Sequence, residues 1–369
     1  MLTCRRLSPI SLSRATEHRR KHRKTDRVFA AALAMVLAAL APVGCGRSGG
    51  TNAPARPVRI ALTNVPLAFL PVIVANELGY YRQEGLSVSL DEFSSAARVM
   101  QSLLAGSADV AAGGYEQEIQ MAAEGRRVKS FVLMLRESTR ALVTAPGRAK
   151  AIHRVDELKG AVVGVAALGS INNLFLNYVL LKHGVLPEQV KIVSIGTGAS
   201  AIAAIEHGRV DAAVLVGSET EIAMKRFPGM AMLLDARGAS GARNLYGTDT
   251  YPTAELSATE GWLAQNPENA RRVAHCIQKA LTWIAGHSAE QTLALLPERD
   301  RMVDRDAELK ALLKIAPSFS RDGMMPADGA EAVRKALAFT TDKVRNAQFD
   351  ISQTYTNKFV QAGKDIEVR

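Results

Sequence analysis

Two stretches of this 369-residue chain carry the same order of apolar and polar positions, about a hundred residues apart. In the first, Leu104-Ala-Gly106-Ser-Ala-Asp109 leads into an apolar run ending at Gly113-Gly114; in the second, Glu206-His-Gly208-Arg-Val-Asp211 leads into one ending at Gly217. Gly106 and Gly208 are 102 apart, as are Asp109 and Asp211. In each copy the glycine closes a helical pattern, because glycine takes the left-handed conformation at little steric cost. The agreement extends upstream: strand patterns at 88–93 and 190–195 precede helical patterns at 97–104 and 199–206. Further back, strand 58–62 with helix 69–78 mirrors strand 161–165 with helix 170–183. One Gly-x-x-Asp before a strand is ordinary turn chemistry. Two copies in one register predict two β-α-β-α-β units, and hence two lobes with a ligand crevice outside the carboxyl ends of their strands.

The remaining pattern supplies the connections. Residues 128–135 extend the first unit, 140–144 read as a strand crossing out of it, and 155–160 form a short helical turn entering the second, which runs through 231–234. Residues 253–259 read as a second crossing, so a two-strand hinge is expected. After it the chain turns helical at 268–285, 289–296, 305–315, 327–341 and 351–362, helices expected to pack back on the first lobe. The expected organisation is lobe I at 58–140 plus 253–369 and lobe II at 141–252.

The amino terminus alters the reading of charge. Cations crowd residues 5–27, and 28–41 is an unbroken apolar run too short to span a bilayer comfortably, a secretory-signal pattern. Residues 1–44 are therefore expected to be a signal peptide, with the translation start possible downstream of Met1, and 45–57 a flexible tether. Gly44-Cys45 resembles a bacterial lipobox, which implies that Cys45 is lipidated; Pro42 stands where that pattern usually has Leu. Seven of the chain's ten net positive charges fall within residues 1–44, leaving +3 for the rest. The basic balance is thus mostly leader, and no compact basic and aromatic patch speaks for nucleic acid. Beyond Cys4 and Cys45 only Cys276 remains, read as core, and His153, His183, His207, His275 and His287 are dispersed without metal spacing.

Leu78-Gly-Tyr-Tyr-Arg-Gln-Glu-Gly-Leu86, the doubled Gly-x-x-Asp units, Val155-Asp-Glu-Leu-Lys-Gly160 leading to Val163–Ser170, and Asn266-Pro-Glu268 before a long helix together resemble the nitrate/sulfonate/taurine-type periplasmic solute-binding proteins, over roughly 58–285. That family shares its fold with thiamine-pyrimidine precursor proteins. The resemblance implies an α/β, type II periplasmic-binding fold: two lobes, each a mostly parallel sheet flanked by helices. It also implies an exported, lipid-anchored monomer on the outer face of the cell membrane or in the periplasm, delivering its ligand to an ABC permease and its ATPase subunit. No cofactor or metal is implied. The ligand stays open among sulfonates, taurine, nitrate, carboxylates and pyrimidine-like compounds.

Loops that open helices at strand ends present unpaired N–H groups and the positive end of the helix dipole. Four places fit: Thr63-Asn64, Gly113-Gly114-Tyr115, Gly169-Ser170 and Gly196-Thr197. Ser170 reads equally as an N-cap, and Tyr115 as a ring facing either ligand or core. Ser218 and Glu219 follow Gly217; Glu219 reads as a first-turn carboxylate, exposed or receiving a ligand's cationic or hydroxyl group. Arg136, Arg140, Arg243 and Tyr251 lie near the crossings, with solvation the default for each Arg, and Leu67 and Phe69 read as core or as cover for an apolar tail. Two other readings stay open. Gly196-Thr-Gly-Ala-Ser-Ala201 matches G-x-G-x-x-A with Glu219 at about the ribose-binding distance, as in an exported dinucleotide-dependent oxidoreductase; the other is a ligand-sensing receptor domain. No Cys cluster, metal spacing or G-x-S-x-G elbow supports further enzyme classes, so the expected activity is binding without turnover.

Overall fold

The computed structural model describes residues 57–361 except 64, 66, 302 and 303. The segment expected to be a signal peptide, Cys45, nearly all of the expected tether and Asn64 therefore lie outside the described residues. The strands are β1 (Val58–Thr63), β2 (Val88–Phe93), β3 (Val110–Gly114), β4 (Val128–Leu133), β5 (Arg140–Thr144), β6 (Val162–Val165), β7 (Lys191–Ser194), β8 (Ala212–Val216), β9 (Met232–Asp235) and β10 (Ala254–Thr259). They form two five-stranded sheets, ordered β2-β1-β3-β10-β4 and β7-β6-β8-β5-β9. The first three strands of each sheet run parallel. The fourth place in each is an antiparallel strand, β10 or β5, contributed from outside the repeated unit. The sheets are thus mixed α/β layers built on one plan, with β3 and β8 starting 102 residues apart as the pattern required.

The two strands expected to cross do not themselves cross; each lies wholly within one sheet. The chain passes between the sheets just before β5 and again before β10. These passages are tied side by side: the Tyr251 N–H donates to the Arg136 carbonyl at 2.8 Å and the Thr253 N–H to the Leu135 carbonyl at 3.1 Å.

Helices α1 (Leu70–Glu77), α2 (Ala96–Leu104) and α3 (Glu116–Ala123) follow β1, β2 and β3; α4 (Ile171–Lys182), α5 (Ala199–Glu206) and α6 (Ser218–Arg226) follow β6, β7 and β8. Gly106 and Gly208 sit just past α2 and α5 at φ +71° and +63°, the conformation that closes a helix. The repeated aspartates have a structural role. Asp109 accepts from the Arg59 backbone N–H at 3.0 Å and pairs with the Arg59 guanidinium; Asp211 accepts from the Val162 N–H at 2.8 Å and pairs with Arg148. Each carboxylate pins the start of the third strand to the start of the first, at the end of the sheet away from the crevice.

Apolar alternation fills a core on each sheet. Ile60, Leu70, Val110, Leu256 and Ile277 are buried in the first, and Val163, Leu176, Leu180 and Val214 in the second. Helix α7 (Gly238–Tyr246) follows β9, and α8 (Pro267–Gly286) lays Val273, Ala274, Ile277 and Leu281 on the first sheet.

The later helices touch both units. Helix α9 (Arg305–Ile315) packs against α6, and α10 (Ala327–Thr340) against α4, both helices of the second unit as well as lying near the first. Their buried stripes face the first unit: Ala311, Leu312 and Ile315 on α9 lie in the core of the first sheet, and Val333, Ala336 and Leu337 on α10 pack with Tyr115, Ile119 and Leu133. The helix expected at 351–362 is broken into a turn at Ile351–Thr354 and a short helix at Lys358–Gln361. Between them Tyr355 runs beside β4, and the Thr356 N–H donates to the Ser130 carbonyl at 2.8 Å, so the free edge of the sheet takes a backbone bond in place of helix.

Candidate functional site

The two units meet at their strand ends. Gly114 closes β3, and a Cβ placed on it would stand 3.0 Å from Glu116 Oε2, 3.2 Å from Ile171 Cδ1 and 3.4 Å from the Thr253 carbonyl oxygen. The absence of a side chain lets this loop approach the first turn of α4, which brings Gly114 and Ser170 into one neighbourhood.

Behind this contact lies a buried ion pair that sequence reasoning missed. Glu116 and Arg140 have side chains 1% and 9% exposed, and Arg140 Nη1 stands 3.0 Å from Glu116 Oε1. Arg140 Nε donates to Asn172 Oδ1 at 3.2 Å, so α3, β5 and α4 are linked across the two sheets. Burial pushes the Glu116 carboxyl up, and Arg140 opposes that rise. Burial also works against the Arg140 charge, yet Glu116 and the nearby tyrosines hold the guanidinium above its usual value. Surface solvation, the default for Arg140, is thus corrected. The signal was present in position alone: Glu116 follows Gly113-Gly114-Tyr115 directly, within a loop already singled out.

Tyr251 is buried and stacked on Tyr246 at a centroid distance of 3.8 Å, and Tyr246 lies 5.3 Å from Tyr178. These three rings, with Glu116, Ile171 and Leu337, line a crevice with a cavity volume of ≈ 10 Å³, room for about one water. Beneath Gly113 sits a second buried acidic group. Glu255 pairs with Gly113 in register and lies with Glu118, Ser130 and Ser257. Burial pushes Glu118 up to about 8 and Glu255 well above the usual carboxylate range, so both carboxyls hold their protons near neutral pH.

In the second unit Gly196 and Thr197 are exposed, and Gly196 and Gly198 have φ of +73° and +59°, leading into α5. Glu219 is buried, not exposed: Oε1 accepts from the Gly198 N–H at 2.5 Å and Oε2 from the Val216 N–H at 3.2 Å. Its counterpart 102 positions earlier, Gln117, donates from Nε2 to the Ala96 carbonyl at 3.2 Å. Both side chains brace the third helix of their unit to the start of the second. Ser218 is the half-buried first residue of α6.

At the start of α4, Ser170 Oγ accepts from the Asn173 N–H at 3.4 Å and Asn173 Oδ1 accepts from the exposed Gly169 N–H at 2.9 Å. Ser170 is thus an N-cap, as one of its two readings held. Tyr115 does not face the crevice. It is fully buried with Ile119, Leu133 and Val333, and its hydroxyl lies 2.5 Å from Thr354 Oγ1, because the helix start turns its ring into the core. Thr63 is half-buried at the end of β1, in a separate crevice with Glu77, Glu92 and Asp300. Leu67 and Phe69 are core, and Arg243 is exposed and paired with Asp249 at 2.5 Å. Among the described residues no group of three or more His, Cys, Asp or Glu is placed to hold a metal ion.

The profile of the NMT1/THI5-like family matches residues 67–291. Among curated proteins the chain is 24% identical over 257 residues to the binding protein YtlA of Bacillus subtilis, covering 68% of this chain and 72% of that one. It is 21% identical over 222 residues to the 4-amino-5-hydroxymethyl-2-methylpyrimidine phosphate synthase THI13 of Saccharomyces cerevisiae, covering 58% of this chain and 63% of the synthase. Among solved structures, a protein of Bordetella bronchiseptica superposes with a TM-score of 0.77 at 27% identity, covering 84% of this chain and 97% of that one. The periplasmic aliphatic sulphonate binding protein SsuA of Escherichia coli gives 0.64 at 20% identity, covering 81% and 96%. The periplasmic nitrate-binding protein NrtA of Synechocystis gives 0.62 at 13%, covering 85% and 89%. At these last two identities the likeness is one of fold.

Proposed function

The chain belongs to the NMT1/THI5-like family and has the fold of periplasmic binding proteins, and from that premise we propose that it is the solute-binding component of an ABC importer. In this reading a small polar solute enters between the two sheets, the units close about the paired passages, and the closed form docks on a permease. One observation carries the reading: the strand ends of two like units meet at Gly114 and the first turn of α4, with the tied passages behind them. Asn64, Gly114, Gly169, Ser170, Gly196, Thr197, Ser218 and Tyr251 are the proposed surroundings of the ligand. Export by the leader, with anchoring through lipid on Cys45, belongs to the same proposal.

Binding without turnover is favoured because both crevice carboxylates already have internal partners. Glu116 is held by Arg140, and Glu219 by two backbone amides. The oxidoreductase alternative is disfavoured by topology, since β7 is an edge strand and the turn after it stands away from the switch point where a dinucleotide binds. The test is a thermal-shift screen against small polar solutes followed by incubation and mass analysis of the ligand. Saturable stabilisation with the ligand recovered unchanged supports the proposal; product exceeding the protein in amount rejects it.

A further inference from the structure

The brace in the second unit differs from its counterpart by one charge. Gln117 and Glu219 occupy equivalent positions, each tying the helix after the third strand to the start of the helix after the second. The first unit shows that an uncharged amide suffices for such a brace. In the second unit a carboxylate, 7% exposed, reaches the same place and takes up the N–H of Gly198 and, through its other oxygen, that of Val216. The Gly198 amide belongs to the N-cap of α5, the donor that an anionic headgroup would seek in the Gly196-Thr197 loop. In the same sheet, paired in register with Val216, Arg140 is the guanidinium best placed to balance another anion, and it is already neutralised by Glu116.

We infer that Glu219 sets the charge of the accepted ligand: its carboxylate occupies the amides at the start of α5, excludes sulfonate- and nitrate-like headgroups, and leaves the crevice to uncharged or cationic headgroups that donate N–H. This inference rests on the solute-binding reading and narrows its ligand class. The physical basis is twofold. An incoming anion finds its donors already bonded, and it must approach a buried carboxylate of like charge in a place where solvent screens little. A headgroup with N–H donors instead finds acceptor lone pairs on a carboxylate oriented by two backbone bonds.

The experiment titrates the wild-type protein and Glu219→Gln with ethanesulfonate by calorimetry. The Gln side chain keeps one acceptor oxygen for the Gly198 N–H and removes the charge. The expected result is no saturable binding by wild type at millimolar concentrations and a gain of about tenfold or more in affinity for Glu219→Gln. Wild-type binding as tight as that of the variant overturns the inference, and so does the absence of binding by both, since Glu219 would then not be what keeps the anion out. Wild-type crystals soaked in bromide give an answer without the variant: an anomalous peak at the Gly198 amide overturns it, and none there supports it. Failure of the solute-binding reading shows separately, as turnover or as no stabilisation in the solute screen while Glu219→Gln still gains ethanesulfonate.

Discussion

Replacing Arg140 by Met strands the Glu116 carboxylate in a place where its side chain is 1% exposed. Breaking a buried pair from one side costs about 3–5 kcal/mol, because the remaining charge has neither water nor partner. Protonation limits the loss. Burial already pushes the Glu116 carboxyl above its usual value with Arg140 opposing, so without Arg140 it rises further. A carboxyl whose folded-state pKa lies above its unfolded value leaves the folded state binding more protons, so stability falls as pH rises through that window. The deficit of Arg140→Met relative to wild type is therefore largest at pH 8 and shrinks toward pH 5. Glu116→Leu with Arg140→Met removes both charges and should recover most of the loss, as buried pairs replaced by apolar residues often do. Urea denaturation of wild type, both single variants and the double variant at pH 5 to 8 gives the coupling directly. A loss in Arg140→Met of the size typical for an exposed pair, about 0–1 kcal/mol and independent of pH, would refute the reasoning.

Other consequences follow from the same geometry. Glu255→Gln should raise the melting temperature more at pH 8 than at pH 5, because the folded chain keeps on Glu255 a proton that the unfolded chain releases, a cost that grows as pH rises; a shift of equal size at both pH values contradicts the raised carboxyl. Gly114→Ala places a methyl group 3.2 Å from Ile171 Cδ1 and should weaken ligand binding, read by calorimetry, with little change in the unfolding midpoint; unchanged affinity would mean that this contact does not govern closure. Ser170→Ala removes the N-cap of α4 and should cost about 1 kcal/mol of stability. If affinity also falls, Ser170 touches the ligand; stability loss with full affinity confines it to the cap.

The duplication was legible because glycines that end helices and aspartates that begin strands are local signals, and these survive at a spacing of 102. From them followed two sheets of like order and the class of fold. What the aspartates do was not legible, since the backbone N–H groups of Arg59 and Val162 that they accept from are about fifty residues away. Distance along the chain also hid the site's strongest feature: Glu116 and Arg140 belong to different units and meet only when the units pack. Tyr115 shows a different limit. Its position at a helix start was read correctly, but the direction of its ring depends on Thr354, far away in sequence. For the later helices, the apolar stripes on α9 and α10 announce a partner, and the further contacts with α6 and α4 could not be read from them.

The central claim is that a small solute is held unchanged between the two units. A crystal structure of the protein with the solute identified by screening, or carried through purification, tests it most directly. The account predicts density for an intact small molecule touching both units, with contacts near Gly114 from one and near Ser170 or Thr197 from the other. Density confined to one unit away from these strand ends, or a chemically altered molecule there, would contradict it.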